Sequence, residues 1–241
     1  MFSINDFKVT LLNPDDIKEF VKRHGEVASI CYNTDSKFAE RIGKSVLETG
    51  HLSGSRGDYF KFKFENIPRN LIDQAIRHDV GTFKNVQSFR YVNKLGFEIY
   101  SPPEVIKDNI LHDIFSDLEY ESNKCYSKAI DRLNELGYEG EKANQIARHM
   151  IPIGTESSFI MGFTLEALIN FMHKRLCVRA EKPIRELAKL MKEEVIKITP
   201  IYKDYLVPIC EHMLYCVEGK HGCGKAITKE EYIEKLVNNL N

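Results

Sequence analysis

Between Gln74 and Tyr91 the chain reads QAIRHDVGTFKNVQSFRY, which sets Arg77, His78, Lys84, Asn85, Gln87, Ser88, Arg90 and Tyr91 within one short span. Guanidinium forks match phosphate oxygens in pairs, amides match the edge of a pyrimidine, and a tyrosine ring offers a stacking face. Polar groups this dense, on a loop held between regular elements, commonly build a binding site. From composition alone, a solvated loop with a few caps describes the same residues equally well.

Three further segments carry the same kind of chemistry. Ala147-Arg148 is followed by Ile151-Pro152. Asn170-Phe171 leads through Arg175 to Arg179-Ala180-Glu181 and Ile184-Arg185, and Gly50-His51 is followed by Ser53. Each has a plain structural reading. Arg148, ahead of a proline stop, can neutralise helix-terminal carbonyls. Asn170 can be a satisfied core amide, and Arg175 and Arg179 a solvated basic face.

Taken together, the four segments resemble the flavin-dependent thymidylate synthase family. That family's signature runs Arg-His-Arg, seven residues, Ser, one residue, Arg-Tyr, with a Gln three residues ahead. Here Gln74, Arg77-His78, Asn85, Ser88 and Arg90-Tyr91 fit it. The second-half segments resemble the family's Ala-Arg…Leu-Pro and Asn-Phe…Arg…Arg-Ala-Gln-x-x-Ile-Arg elements without a gap, with Glu181 in place of the Gln. The resemblance covers about Val9 to Lys225. Two departures stand out. Asp79 occupies the place of the second Arg, with eight residues between it and Ser88, and Arg56-Gly57 replaces an expected Glu-His after Ser53. An anion for a cation reverses the local field and removes up to about five donors.

The resemblance implies an α+β fold: an antiparallel or mixed sheet with flanking helices, and a large helical second half in one intertwined domain. It implies a catalytic domain over 1–225, with a C-terminal helical tail at 226–241. The implied reaction is reductive methylation of dUMP to dTMP, with FAD as cofactor and methylenetetrahydrofolate and NADPH as co-substrates. Gln74, Gln87, Ser88, Arg90, Tyr91, Arg148 and Arg175 would bind the nucleotide. His51, Ser53, Arg77, His78, Asp79, Asn170 and Arg179 would face the flavin. Arg175 and Ser88 stand nearest the chemistry, Ser88 as a hydrogen-bonding group and not a nucleophile, since no triad neighbour can be argued. A homotetramer with shared sites is also implied. Two alternatives remain: flavin-dependent hydroxymethylation of a deoxypyrimidine monophosphate, dUMP or dCMP, and a non-catalytic dUMP-binding homologue.

Cys210, Cys216 and Cys223, with His212 and His221 beside them, contain ligand types that zinc accepts. The spacing lacks a close Cys-x2-Cys pair, so no metal site is assigned. Cys31, Cys125 and Cys177 complete six cysteines scattered along the chain, a pattern of reduced thiols.

The elements that must position these groups follow from pattern. FKVTLL (7–12) predicts a short strand, and helices follow over 14–24 and 36–48. In YFKFKFE (59–65), Phe60, Phe62 and Phe64 alternate with charged residues, which predicts a half-buried, antiparallel strand. A helix runs from Pro68, in its first turn, through Arg77. A polar, glycine-containing stretch then leads to 86–92, and a strand is expected at 97–100. A long helix is expected over 104–135, with others at 141–150, 164–175 and 183–198.

Composition limits partners. Lys and Arg total 34 against 35 for Asp and Glu, for a net charge of -1. That balance gives no bulk attraction to nucleic acid or anionic lipid. No apolar run approaches the ~20 residues that span a bilayer. The N-terminus has no basic leader, and a cytoplasmic enzyme is expected.

Overall fold

Phe60, Phe62 and Phe64 are fully buried, and Lys61 between them is exposed. The expected alternation is therefore present, in a strand that runs further than its phenylalanines, to Pro68. The computed structural model describes residues 1–31 and 33–239. In chain order it contains β1 (Lys8–Leu11), α1 (Pro14–Lys18), α2 (Phe20–Cys31), α3 (Ala39–Glu48), β2 (Phe60–Pro68), α4 (Arg69–Ala75) and β3 (Thr82–Val86). Then follow α5 (Pro103–Lys107), α6 (Asn109–Glu135), α7 (Glu141–Ala147), β4 (Glu156–Phe163), α8 (Leu165–Arg175), α9 (Lys182–Ile198), α10 (Ile209–Met213) and α11 (Lys229–Asn238). No described helix is long and apolar enough to cross a membrane.

The fold is α+β with a four-stranded antiparallel sheet ordered β1-β2-β4-β3. Register follows from pairs such as Leu12 N to Lys61 O at 2.7 Å, Arg69 N to Thr155 O at 3.0 Å and Thr164 N to Gly81 O at 2.8 Å. Strand β4, next to β2 at the centre of the sheet, lies where no strand was expected. Its sequence, ESSFIMGF, ends in an apolar run. Such a run has no alternation to separate a strand from other buried structure.

Other boundaries shift for local reasons. The helix expected over 104–135 is two helices, because Asp108 adopts an extended conformation and its side chain caps α6 by accepting from Leu111 N at 2.9 Å. An aspartate in that role satisfies one of the orphan donors of the first turn. The helix expected over 14–24 breaks at Glu19 and resumes to Cys31. Pro68 ends β2 and precedes α4 instead of opening its first turn. Residues 97–100 form no strand; Ile99 and Tyr100 make only isolated bridges.

The chain divides into two compact units, one of residues 1–9, 63–77 and 84–160 and the other of 10–62, 78–83 and 161–241. In the first, Phe97, Ile99, Tyr126, Ile130, Ala143 and Ala147 form a core under α6 and α7. In the second, buried rings meet edge to face, the geometry that aromatic quadrupoles favour. Phe20 lies 5.0 Å from Phe60 between ring centres. Phe60 lies 5.3 Å from Tyr202. Phe163 lies 5.3 Å from Phe171. Helices α2 and α3 touch backbone to backbone. A Cβ on Gly25 would lie 1.7 Å from the Ala39 carbonyl oxygen, and one on Gly43 1.8 Å from that of Val21.

Candidate active site

Strand β3 ends at Val86, and Gln87 N extends its ladder by donating to Ser158 O at 2.9 Å. The chain then turns. Tyr91 N and Val92 N both donate to the Ser88 carbonyl at 3.1 Å, and Arg90 N donates to Ser88 Oγ at 3.3 Å. A serine hydroxyl bonded two residues on fixes such a turn locally. Across from it, α7 tightens into a single 3-10 turn, Arg148–Met150, ahead of Pro152. Ser88, Gln87, Arg148 and His149 thus line one open cleft of about 500 Å³, with Arg69 and Phe89 completing its polar and aromatic walls.

Not every expected nucleotide residue reaches this cleft. Arg90 turns to Glu141, the first residue of α7, and forms an ion pair with it. Its Nε is buried with no hydrogen-bond partner among the described residues. Tyr91 is 66% exposed, with the Arg90 guanidinium 5.5 Å from its ring centre. Gln74 sits half-buried on α4, outside the cleft lining, and Arg77 is exposed just beyond that helix.

The second unit holds a different cluster. Arg175, at the end of α8, donates its Nε–H to His78 Nε2 at 3.0 Å. The His78 ring stands edge-on to the buried Phe171 ring, 4.7 Å between centres. Burial first, then the charges of Arg175 and Lys174, push the His78 pKa down to about 4. Both causes disfavour the protonated ring, which is therefore neutral near pH 7. Its loop is held by Thr82, whose hydroxyl donates to the His78 carbonyl at 2.7 Å, and Asp79 next to it is exposed. Asn170 is exposed on α8.

His51 follows α3 and lines a cleft of about 760 Å³ with Thr34, Arg41, Ser45 and Thr49. Arg41, Ser45 and Thr49 recur every four residues along α3 and its C-terminal cap, so they share one face of the helix. Ser53 is exposed in the single turn after His51. Arg56 forms a two-pronged pair with Glu166 of α8, at 3.0 and 3.3 Å. Arg179 hydrogen-bonds the His221 carbonyl and lies 3.8 Å from Glu218, so it clasps the C-terminal segment.

The residues that sequence reasoning missed are Arg69, Phe89 and His149 in the first cleft, and Thr34, Arg41, Ser45 and Thr49 in the second. The four-residue recurrence on α3 was a usable signal. Nothing in the sequence marks Arg69. All six cysteines are free thiols, and no group of three potential metal ligands is assembled among the described residues.

Residues 17–201 match the family described as thymidylate synthase complementing protein. A flavin-dependent thymidylate synthase of Clostridium tetani is 35% identical over 199 residues, covering 78% of this chain and 79% of that protein. One from Nitratidesulfovibrio vulgaris is 30% identical over 182 residues, covering 75% and 74%. Among solved structures, the UMP/dUMP methylase PolB of Streptomyces cacaoi, bound with 5-Br UMP, superposes with a TM-score of 0.59 over 84% of this chain and 96% of that one. At 17% identity this bears on the fold alone. With most of its length matched to one family and its relatives aligned over three quarters of both chains, this chain belongs to the flavin-dependent thymidylate synthase family.

Proposed function

We propose that the protein is an enzyme that methylates dUMP to dTMP, a flavin-dependent thymidylate synthase with FAD as cofactor, methylenetetrahydrofolate as one-carbon donor and NADPH as reductant. The observation that carries this reading is the first cleft. Ser88 and Arg148, which match the family's nucleotide motifs, line one open space together, and no carboxylate is among its lining residues. Such a lining favours a bound anion.

In this reading Arg148 presents forked N–H donors to the phosphate, with Ser88 and Gln74 hydrogen-bonding the nucleotide. Gln87, Arg90 and Tyr91 complete the nucleotide set. Arg175 acts on the uracil. A guanidinium against a ring carbonyl stabilises the negative charge that grows on its oxygen as C5 becomes nucleophilic. Neutral His78 orients that guanidinium through its Nε2 lone pair and leaves its charge undiminished.

The donors around the second cleft suit a flavin dinucleotide. The Arg41 cation and the Ser45 hydroxyl stand together there with His51, a set that matches a pyrophosphate, while the Thr49 hydroxyl donates to the Ser45 carbonyl at 2.9 Å. His51, Ser53, Arg77, His78, Asn170 and Arg179 would hold the cofactor, with Asp79 at the position of a family arginine. When bound, FAD supplies the electrons that reduce the transferred carbon.

A catalytic domain over 1–225, a helical tail at 226–241, of which 240–241 lie outside the described residues, and assembly as a homotetramer belong to this reading. Support for the tail is that α11 has no buried residue. Support for assembly is the stripe on α6 where Ile110, Ile114 and Leu118 are all exposed. A contiguous apolar surface of this kind marks an interaction site more often than a solvated face.

The test is direct. Purified protein is supplied with FAD, NADPH, methylenetetrahydrofolate and dUMP, and the nucleotide product is identified by mass. Flavin absorbance that changes on adding dUMP, followed by dTMP, is the expected result. A hydroxymethyl product, or flavin bound without turnover, would overturn the assigned reaction. Protein that binds dUMP but never flavin would overturn the enzyme itself.

A further inference from the structure

We propose that Arg69 is a second phosphate-binding residue, acting with Arg148 on the nucleotide's phosphate; the inference rests on the reading of the first cleft as a nucleotide site. Arg69 opens α4 directly after β2. Its backbone is pinned to the cleft wall by Arg69 N to Thr155 O at 3.0 Å and Asn70 N to Ile153 O at 2.9 Å. Its side chain is steered inward. Nη1 donates to the Gln87 carbonyl at 3.3 Å, and the guanidinium carbon lies 5.8 Å from the Phe89 ring centre.

What this guanidinium lacks is a proper counter-ion. Asp73 approaches its Nε only to 3.9 Å, with 35% of the Arg69 side chain and 57% of the Asp73 side chain exposed. An exposed one-turn pair of that length holds little. Nη2 has no partner among the described residues. Arg69 and Arg148 therefore present two permanent cations to one cleft with the Ser88 hydroxyl and the His149 ring, and no acid lines it. Like charges converging on one space repel each other unless an anion stands between them. A phosphate monoester supplies that anion and enough oxygens for two forks.

The experiment compares dUMP with deoxyuridine, which lacks the phosphate, by equilibrium binding to the intact wild-type protein and to R69Q, R69K and R148Q. A charge-assisted hydrogen bond corresponds to roughly 10- to 100-fold in affinity. R69Q is expected to weaken dUMP binding by about that factor and to leave deoxyuridine binding unchanged. R69K is expected to recover part of the loss, as a point charge without the fork. Thermal melting confirms that each variant is folded. R69Q binding dUMP as wild type does, while R148Q binds it weakly, would overturn this inference and leave the nucleotide site standing. Equal loss of both ligands in R69Q, with no recovery in R69K, would make Arg69 structural and overturn it too. Wild-type protein that fails to bind dUMP would remove the reading of the site, and this inference with it.

Discussion

Arg175 donates to His78 across 3.0 Å, and this bond fixes the tautomer of the imidazole. A guanidinium keeps its proton at any accessible pH, so the imidazole Nε2 must accept and its proton must sit on Nδ1. Burial disfavours the protonated ring, and protonation would also set it against the Arg175 and Lys174 cations, so its pKa is pushed down to about 4.

His78 has a lower pKa folded than unfolded, its ordinary value of 6.5 falling to about 4. Between those values the unfolded chain binds more protons, so stability rises with pH there. The contribution of the neutral ring is fully present above 6.5 and is lost as pH falls through about 4. Nitrogen-detected NMR should show His78 neutral at pH 6, with Nε2 unprotonated, and titrating at about 4. Titration near 6.5 would mean that the ring is neither buried nor held against Arg175. His78→Gln, whose amide oxygen can still accept from Arg175, should retain more turnover than His78→Ala.

Arg90 meets Glu141 where the family motif would have it meet the nucleotide. Both side chains are 43% exposed. The pair therefore contributes at most about 1 kcal/mol, or about fivefold in a competing equilibrium. Glu141→Gln should tighten dUMP binding by up to about fivefold, and Arg90→Gln should weaken it. Titration calorimetry measures both. Weaker binding in Glu141→Gln would show that the ion pair positions the loop after Ser88 instead of competing for Arg90.

How far the sequence led is visible in β2 and β4. The first is solvated on one face, so Phe60, Phe62 and Phe64 alternate with charge and the strand is plain. The second ends in the apolar run Phe-Ile-Met-Gly-Phe, which has no alternation with charge to mark it. At its Gly162 the Phe83 ring stands 2.0 Å from where a Cβ would be. The glycine is there for packing, as strand glycines are where another group approaches closely. The site divided in the same way. Ser88 and Arg148 were legible because short-range turns set them, at fixed spacing from their motif neighbours. Arg69 was not, because its value comes from long-range pairing: its own N–H bonds Thr155 O, that of Asn70 bonds Ile153 O, and its side chain bonds the Gln87 carbonyl. The partners of Arg56, Arg90 and Arg179 were invisible for the same reason, since Glu166, Glu141 and His221 lie 42 to 110 positions away.

The close approach of α2 and α3 bears on the second cleft, because α3 carries Arg41, Ser45 and Thr49 on its face. Gly43→Ala tests it. Alanine favours a helix over glycine by about 1 kcal/mol, so propensity alone predicts stabilisation. The added Cβ, however, would sit 1.8 Å from the Val21 carbonyl oxygen, a backbone atom that cannot rotate aside. Overpacking of this kind costs about 1–3 kcal/mol and occasionally more, so the clash should win. A drop in melting temperature of several degrees is expected, with weaker binding at the second cleft as α3 shifts. Gly57→Ala is the control, since a Cβ there meets nothing within 4 Å. Were Gly43→Ala to melt with or above the wild type, α2 and α3 would not be in backbone contact, and the placement of Arg41, Ser45 and Thr49 would have to be redrawn.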